Sequence, residues 1–156
     1  MKALALAALL ALPAAAKPLK TPDKLAGENG RIHFRIAFKM KLKELDRSGN
    51  FVVLDGSQAN YVDGGETAVP GTGSGAEYKK RSLIVNCVAV QDPRDAQRVK
   101  AECQFELSGP VHSADGKTYE AATFQLQDGF EVVKGKPLVL VDEADKHLEL
   151  VVTQVE

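Results

Sequence analysis

The chain has 156 residues, 20 basic against 21 acidic side chains, and a formal net charge of −1 at pH 7. That balance offers no electrostatic footprint for nucleic acid. The length suits one domain with a core of its own, needing no staples.

Residues 1 to 16 read as a secretory signal peptide. Met1 and Lys2 give a short charged start, Ala3 to Leu12 is an unbroken Ala/Leu run, Pro13 interrupts it, and Ala14-Ala15-Ala16 offers a cleavage site. The run is too short to span a bilayer as a helix. Export to a bacterial periplasm or cell envelope follows, where cysteines can oxidise. Lys17 to Gly30 is polar, carries Pro and Gly, and reads as a flexible lead-in. Residues 31 to 156 form a single β domain with no second long apolar run, so no transmembrane segment is expected after cleavage. An eight-stranded membrane barrel needs aromatic girdles. This chain has no Trp, three Tyr, six Phe and a polar end at Gln154-Val155-Glu156.

The first β segment is the clearest. Ile32, Phe34, Ile36, Phe38, Met40 and Leu42 alternate with Arg31, His33, Arg35, Ala37, Lys39, Lys41 and Lys43. Period two over that length predicts a long strand with one buried and one wet face. Asp46-Arg47-Ser48-Gly49 reads as a turn into a return strand, Phe51 to Leu54, and Asp55-Gly56 turns again. Gln58 to Val62 is strand-like, Gly64-Gly65 suits a tight hairpin turn, and Thr67 to Val69 is a short strand stopped by Pro70. A Gly-rich loop, Gly71 to Gly75, leads to long strands at Tyr78 to Val90 and Val99 to Leu107. Gly109-Pro110 and Ala114-Asp115-Gly116 are breakers. Thr118 to Gln127 turns at Asp128-Gly129 into Phe130 to Val133, and Gly135-Lys136-Pro137 breaks the chain. Leu138 to Val141 and Leu148 to Val155 make a last hairpin. Many short strands without helical periodicity predict an all-β fold, an antiparallel β-sandwich or partly open barrel.

Cys87 and Cys103 lie on the apolar faces of two consecutive strands. Placing them opposite each other also pairs Val85 with Phe105, Leu83 with Leu107 and Ala89 with Ala101. Every pair is apolar, and a one-residue slip spoils them all. Opposed residues lie within reach of a disulfide, so a bridge closing this hairpin is predicted. Two buried thiols would be the alternative.

Little points to catalysis. His33, His112 and His147 have no metal-ligand spacing, no G-x-S-x-G occurs, and the Asp142, Glu143 and Asp145 cluster lacks a calcium-loop pattern. Gly71 to Gly75 precedes a strand, so no helix N-terminus would receive a phosphate. No cofactor, metal or enzymatic activity is expected. The wet strand face with Arg31, Arg35, Lys39, Lys41 and Lys43 has two readings. One is protection against edge-to-edge pairing; the other is a surface for an anionic partner.

The order of motifs resembles the β-rich core domain of bacterial secretins over roughly residues 51 to 133. Leu54-Asp55-Gly56-Ser57-Gln58-Ala59, Gly64-Gly65-Glu66 and Val69-Pro70 precede Glu77-Tyr78-Lys79-Lys80 and two long strands. Phe124-Gln125-Leu126-Gln127-Asp128-Gly129 follows. The glycine expected after Tyr78 is replaced within Lys79-Lys80-Arg81-Ser82. The resemblance implies secretin-core-like hairpins in a small envelope protein, with no catalytic residues and no pore. The signal peptide, the β patterning and the absence of a catalytic constellation point to action by contact with an envelope protein or by self-association. A binding module for a small or polymeric anionic ligand is the alternative.

Overall fold

A computed structural model of the chain describes residues 32 to 155 except 72 and 74. The expected signal peptide, the lead-in and Arg31 lie outside the described residues.

Eight strands form two antiparallel four-stranded sheets. They are β1 (His33–Leu42), β2 (Leu45–Leu54), β3 (Gln58–Pro70), β4 (Ala76–Gln91), β5 (Arg98–His112), β6 (Tyr119–Val133), β7 (Pro137–Glu143) and β8 (Lys146–Val155). The first sheet runs β2-β1-β8-β7 and the second β3-β4-β5-β6. This is the sandwich that the alternation predicts. From β1, Phe34, Ile36, Phe38, Met40 and Leu42 point into the core while Arg35, Lys39 and Lys41 stay exposed. Leu148, Leu150 and Val152 of β8 join them, facing Leu83, Val85, Phe105 and Leu107 from the second sheet. Each large apolar side chain taken fully out of water contributes about 1.5–3 kcal/mol.

The β4–β5 register is the predicted one: Cys87 opposes Cys103, with Val85↔Phe105, Leu83↔Leu107 and Ala89↔Ala101 around it. A disulfide joins the two cysteines, both fully buried, with Cα atoms 4.2 Å apart.

Three expected turns are strand interior instead. Asp46 to Gly49 lies within β2, and the chain reverses earlier, at Lys43-Glu44, where Lys43 takes left-handed backbone (φ 51°). Leu45 is an apolar residue whose place in the core forces that earlier reversal. Gly49 is needed for space: a Cβ there would stand 2.7 Å from Phe38 Cζ and 2.8 Å from Tyr61 Cζ. Phe38 and Tyr61 meet edge to face above it, centroids 5.3 Å apart. Gly64 and Gly65 run inside β3 opposite Ser82 and Arg81, and Asp128-Gly129 runs inside β6 opposite Cys103 and Glu102. None of these glycines has positive φ, whereas Gly56, Gly116 and Gly135, in expected turns, do. Gly109-Pro110, expected to break the chain, also lies within a strand, near the end of β5.

Candidate functional site

The basic strand face is only partly assembled. Arg35, Lys39 and Lys41 share the outer face of the first sheet, flanked by Asp46 on β2 and Glu149 on β8. Lys39 Nζ lies 3.8 Å from Asp46, and His147 lies 3.2 Å from Asp142 and 3.9 Å from Glu149. Positive and negative charges therefore alternate across this face. Lys43 is not part of it. The strand ends at Leu42, and Lys43 turns away to pair with Glu120 on β6 at 3.1 Å.

The two-residue turn after β1 instead makes a clasp between the sheets. The backbone N–H of His112 donates to Glu44 Oε1, and the His112 ring nitrogen lies 3.0 Å from the same oxygen. The His112 amide, first, and then its side chain hold the Glu44 carboxyl below the usual carboxylate range. The Tyr119 ring sits against His112 with centroids 4.3 Å apart. At the other end, Lys134 lies 5.5 Å above the Phe34 ring and donates to Gln154. Burial pushes its ammonium pKa down. Neither arrangement supplies a nucleophile paired to a base. Among the described residues no three His, Cys, Asp or Glu side chains converge as metal ligands.

The sheet edges are the more informative surfaces. β2 and β3 close one side of the sandwich, joined through Asp55 to Ser57, with Phe51 and Tyr61 rings 6.4 Å apart. β6 and β7 end the two sheets on the other side, joined through Lys134 to Lys136. There Leu126 and Phe130 of β6 and Leu138 and Leu140 of β7 remain half-buried beside the core. β7 carries Pro137 and a register irregularity between Val139 and Val141, both protective devices. The fifteen residues of β6 include neither Lys nor Pro. Sequence reasoning missed this edge because the expected turn at Asp128-Gly129 cut the strand in two.

A groove lies on the second sheet near the tips of its two hairpins. One part, of about 510 Å³, is lined by Gly65, Glu66, Lys80, Arg81, Ser82 and Ser108. A second, of about 200 Å³, shares Lys80 and adds Pro110, Tyr119 and Ala121.

No protein-family profile matches the chain, and no curated protein matches it. Among solved structures it is weakly similar to secretin β-domains of the Salmonella SPI-1 injectisome. Against the secretin-domain β-barrel of InvG the TM-score is 0.49 at 6% identity, covering 82% of this chain and 64% of that one. Against a second InvG structure the TM-score is 0.44 at 6% identity, covering 81% and 63%. Against InvG in a basal-body assembly with PrgH and PrgK it is again 0.44 at 6%, covering 81% and 44%. The chain thus spans less than two thirds of each of these. The weak structural resemblance falls on the family that the order of sequence motifs resembles.

Proposed function

We propose that the chain is an exported, non-enzymatic protein of the bacterial envelope that works by assembling with copies of itself through its sheet edges. The observation that carries this reading is the pairing of open edges on opposite sides. One side offers β2, ten residues, and β3, thirteen; the other offers β7, seven residues, and β6, fifteen. Short faces short and long faces long when one copy's β2/β3 side meets the next copy's β7/β6 side. Strand directions alternate through each sheet, so both sheets continue antiparallel across such a junction. The contact is head to tail and closes into a ring where the rotation permits. It would also bury Leu126, Phe130, Leu138 and Leu140. Of the acids along the two long edges, Asp63 pairs with Arg81, Glu120 with Lys43 and Glu131 with Arg98, while Glu66 and Asp128 make no ion pair among the described residues.

The test is the absolute mass of the exported chain by light scattering after size exclusion, with Thr123→Pro alongside. In β6 the even-numbered residues bond to β5, as Ser113 N–H to the Thr118 carbonyl and Lys134 N–H to the Gln97 carbonyl show. Thr123 therefore points its N–H outward, and proline there removes an edge donor without touching the β5 ladder. A defined oligomer for the parent and a monomer for the variant, with matching far-ultraviolet spectra, is the expected result. A monomeric parent at all concentrations sinks the reading.

A further inference from the structure

The β4–β5 ladder ends at Ser82↔Ser108, although both strands continue past it. β4 goes on paired to β3 as far as Ala76, and β5 goes on paired to β6 as far as His112. The second sheet therefore forks. Hydrogen-bond alternation explains where. Opposed Cα atoms only 4.2 Å apart at Cys87–Cys103 mark a pair without mutual backbone bonds. Bonded pairs alternate with these, so the even-numbered residues of β4 bond to β5. The Asp92 N–H to Arg98 carbonyl bond keeps that parity. On the β3 side the odd-numbered residues do the bonding, as Gly56 N–H to the Ala89 carbonyl and Gly71 N–H to the Gly75 carbonyl show. The next bonded pair after Ser82↔Ser108 would be Lys80 with Pro110, and proline has no N–H to give. The strands part there. On the β5 side, the N–H of His112, next in the same parity, is taken by Glu44.

Among the described residues the β4 side has no such cap. Tyr78 and Lys80 point their N–H and C=O groups away from β3, and Lys80 lines the groove that also holds Ser82, Ser108, Pro110 and Tyr119. A third lobe, of about 170 Å³ and lined by Val69, Glu77, Lys79, Lys117 and Tyr119, extends it to the hairpin tips. The charges in this groove are unequally used. Glu77 pairs with Lys79, Glu120 with Lys43, and Arg81 with Asp63, while Glu66, opposite Lys80 in the β3–β4 ladder, makes no ion pair among the described residues. Lys80 and Lys117 make no ion pair among the described residues. Tyr78 is 69% exposed beside them.

From this we infer that the fork is a docking groove for an extended acidic peptide of a partner protein, which adds a short strand to β4 at Tyr78 and Lys80. Backbone pairing supplies the affinity, and the unpaired lysines select carboxylates. The groove borrows lining residues from β3 and β6, but it uses the free backbone groups of β4 and not the outward-facing ones of those two edge strands, so either reading can fail alone.

The probe is a pool of capped hexapeptides alternating Glu with Thr, Val or Tyr, titrated into the isotope-labelled exported chain and followed by amide shifts. A matching pool with Lys for Glu and inorganic phosphate serve as comparisons. Saturable shifts at the Tyr78 and Lys80 amides are expected with the acidic pool, and weaker ones with the basic pool. Lys80→Pro removes the groove-facing N–H while sparing the β3 ladder, and should weaken binding about tenfold or more. Lys80→Ala keeps that N–H and should weaken it less. Unchanged amide shifts at Val85 and Phe105 show that both variants fold. Equal binding to Lys80→Pro and the parent overturns the proposal. So do shifts confined to β3 or β6, identical shifts with phosphate alone, or no saturable shift with the acidic pool.

Discussion

The two halves of the β4–β5 pair differ more than their sequences suggest. From Gln91↔Val99 to Ser82↔Ser108 the strands are zipped and carry a disulfide at their centre; β5 alternates between core and surface throughout, and β4 does so as far as Cys87, after which Val88, Ala89 and Val90 are all buried. Beyond that point the same two strands keep their β structure but part. Hydrophobicity does not mark the boundary, since Val111 beyond the fork is as buried as Phe105 before it. One imino acid at a position that owes a hydrogen bond does. Whether a strand pairs with its neighbour is thus decided by backbone donors, while whether it stays in the sheet is decided by side-chain burial. The two can be separated within one strand.

The largest way to break the contrast is to weaken the zipped half. Replacing Cys87 and Cys103 together by Ala opens a bridge spanning 16 positions. It should cost about 3 kcal/mol, read as a lower midpoint in chemical denaturation. The alternating apolar pairs on either side should hold the register, so amide protection at Val85 and Phe105 should persist at low denaturant. Loss of that protection under native conditions would show that the bridge, not the pattern, sets the register.

A smaller effect is expected at the clasp that caps the forked half of β5. Glu44→Gln keeps an acceptor for the His112 N–H but removes its charge, a loss of about 0.5–1 kcal/mol near neutrality. The pH dependence has a definite sign. The folded Glu44 carboxyl titrates below its ordinary value of 4.5. Its contribution is therefore complete above about 4.5 and disappears as pH falls through the lowered folded value. Stability curves of parent and variant should be separate at neutral pH and converge in that acid window. Parallel curves throughout would contradict it.

The smallest change in stability and the sharpest in local behaviour should come from Pro110→Ala. It gives β5 an N–H facing Lys80, while releasing a constraint on the unfolded chain. Net stability should move by less than about 0.5 kcal/mol. Hydrogen exchange at the Lys80 amide should slow if the missing donor alone holds the fork open. Unchanged exchange there would place the cause in the packing of Tyr119 and Ala121 instead.

What was legible in the chain follows the same division. β1, β4 and β5 announce themselves by alternation, and the cysteine register was readable because every neighbouring pair had to be apolar as well. The misread places are glycines. Gly56, Gly116 and Gly135 do what glycine does in turns, adopting positive φ. Gly49 is glycine because Phe38 and Tyr61 occupy the room a Cβ would take, a contact between residues distant in sequence that local reading has no access to. Gly64, Gly65 and Gly129 sit on strands paired on one side only, where the cost of a missing side chain is low. The basic face suffered the opposite error. Its alternation was real through Lys41, but the acids that interleave it come from β2 and β8, and Lys43 lies beyond the strand's end.

The reversal at Lys43-Glu44 has a practical consequence for handling this protein. Hairpin tips are the usual places to insert an epitope or a fluorophore, because they hang free. This one does not: its Lys43 amide bonds to the Asp145 carbonyl, its Lys43 ammonium reaches Glu120, and its Glu44 holds His112. Two residues therefore fasten three other segments of the chain, and an insert here would unfasten all of them at once.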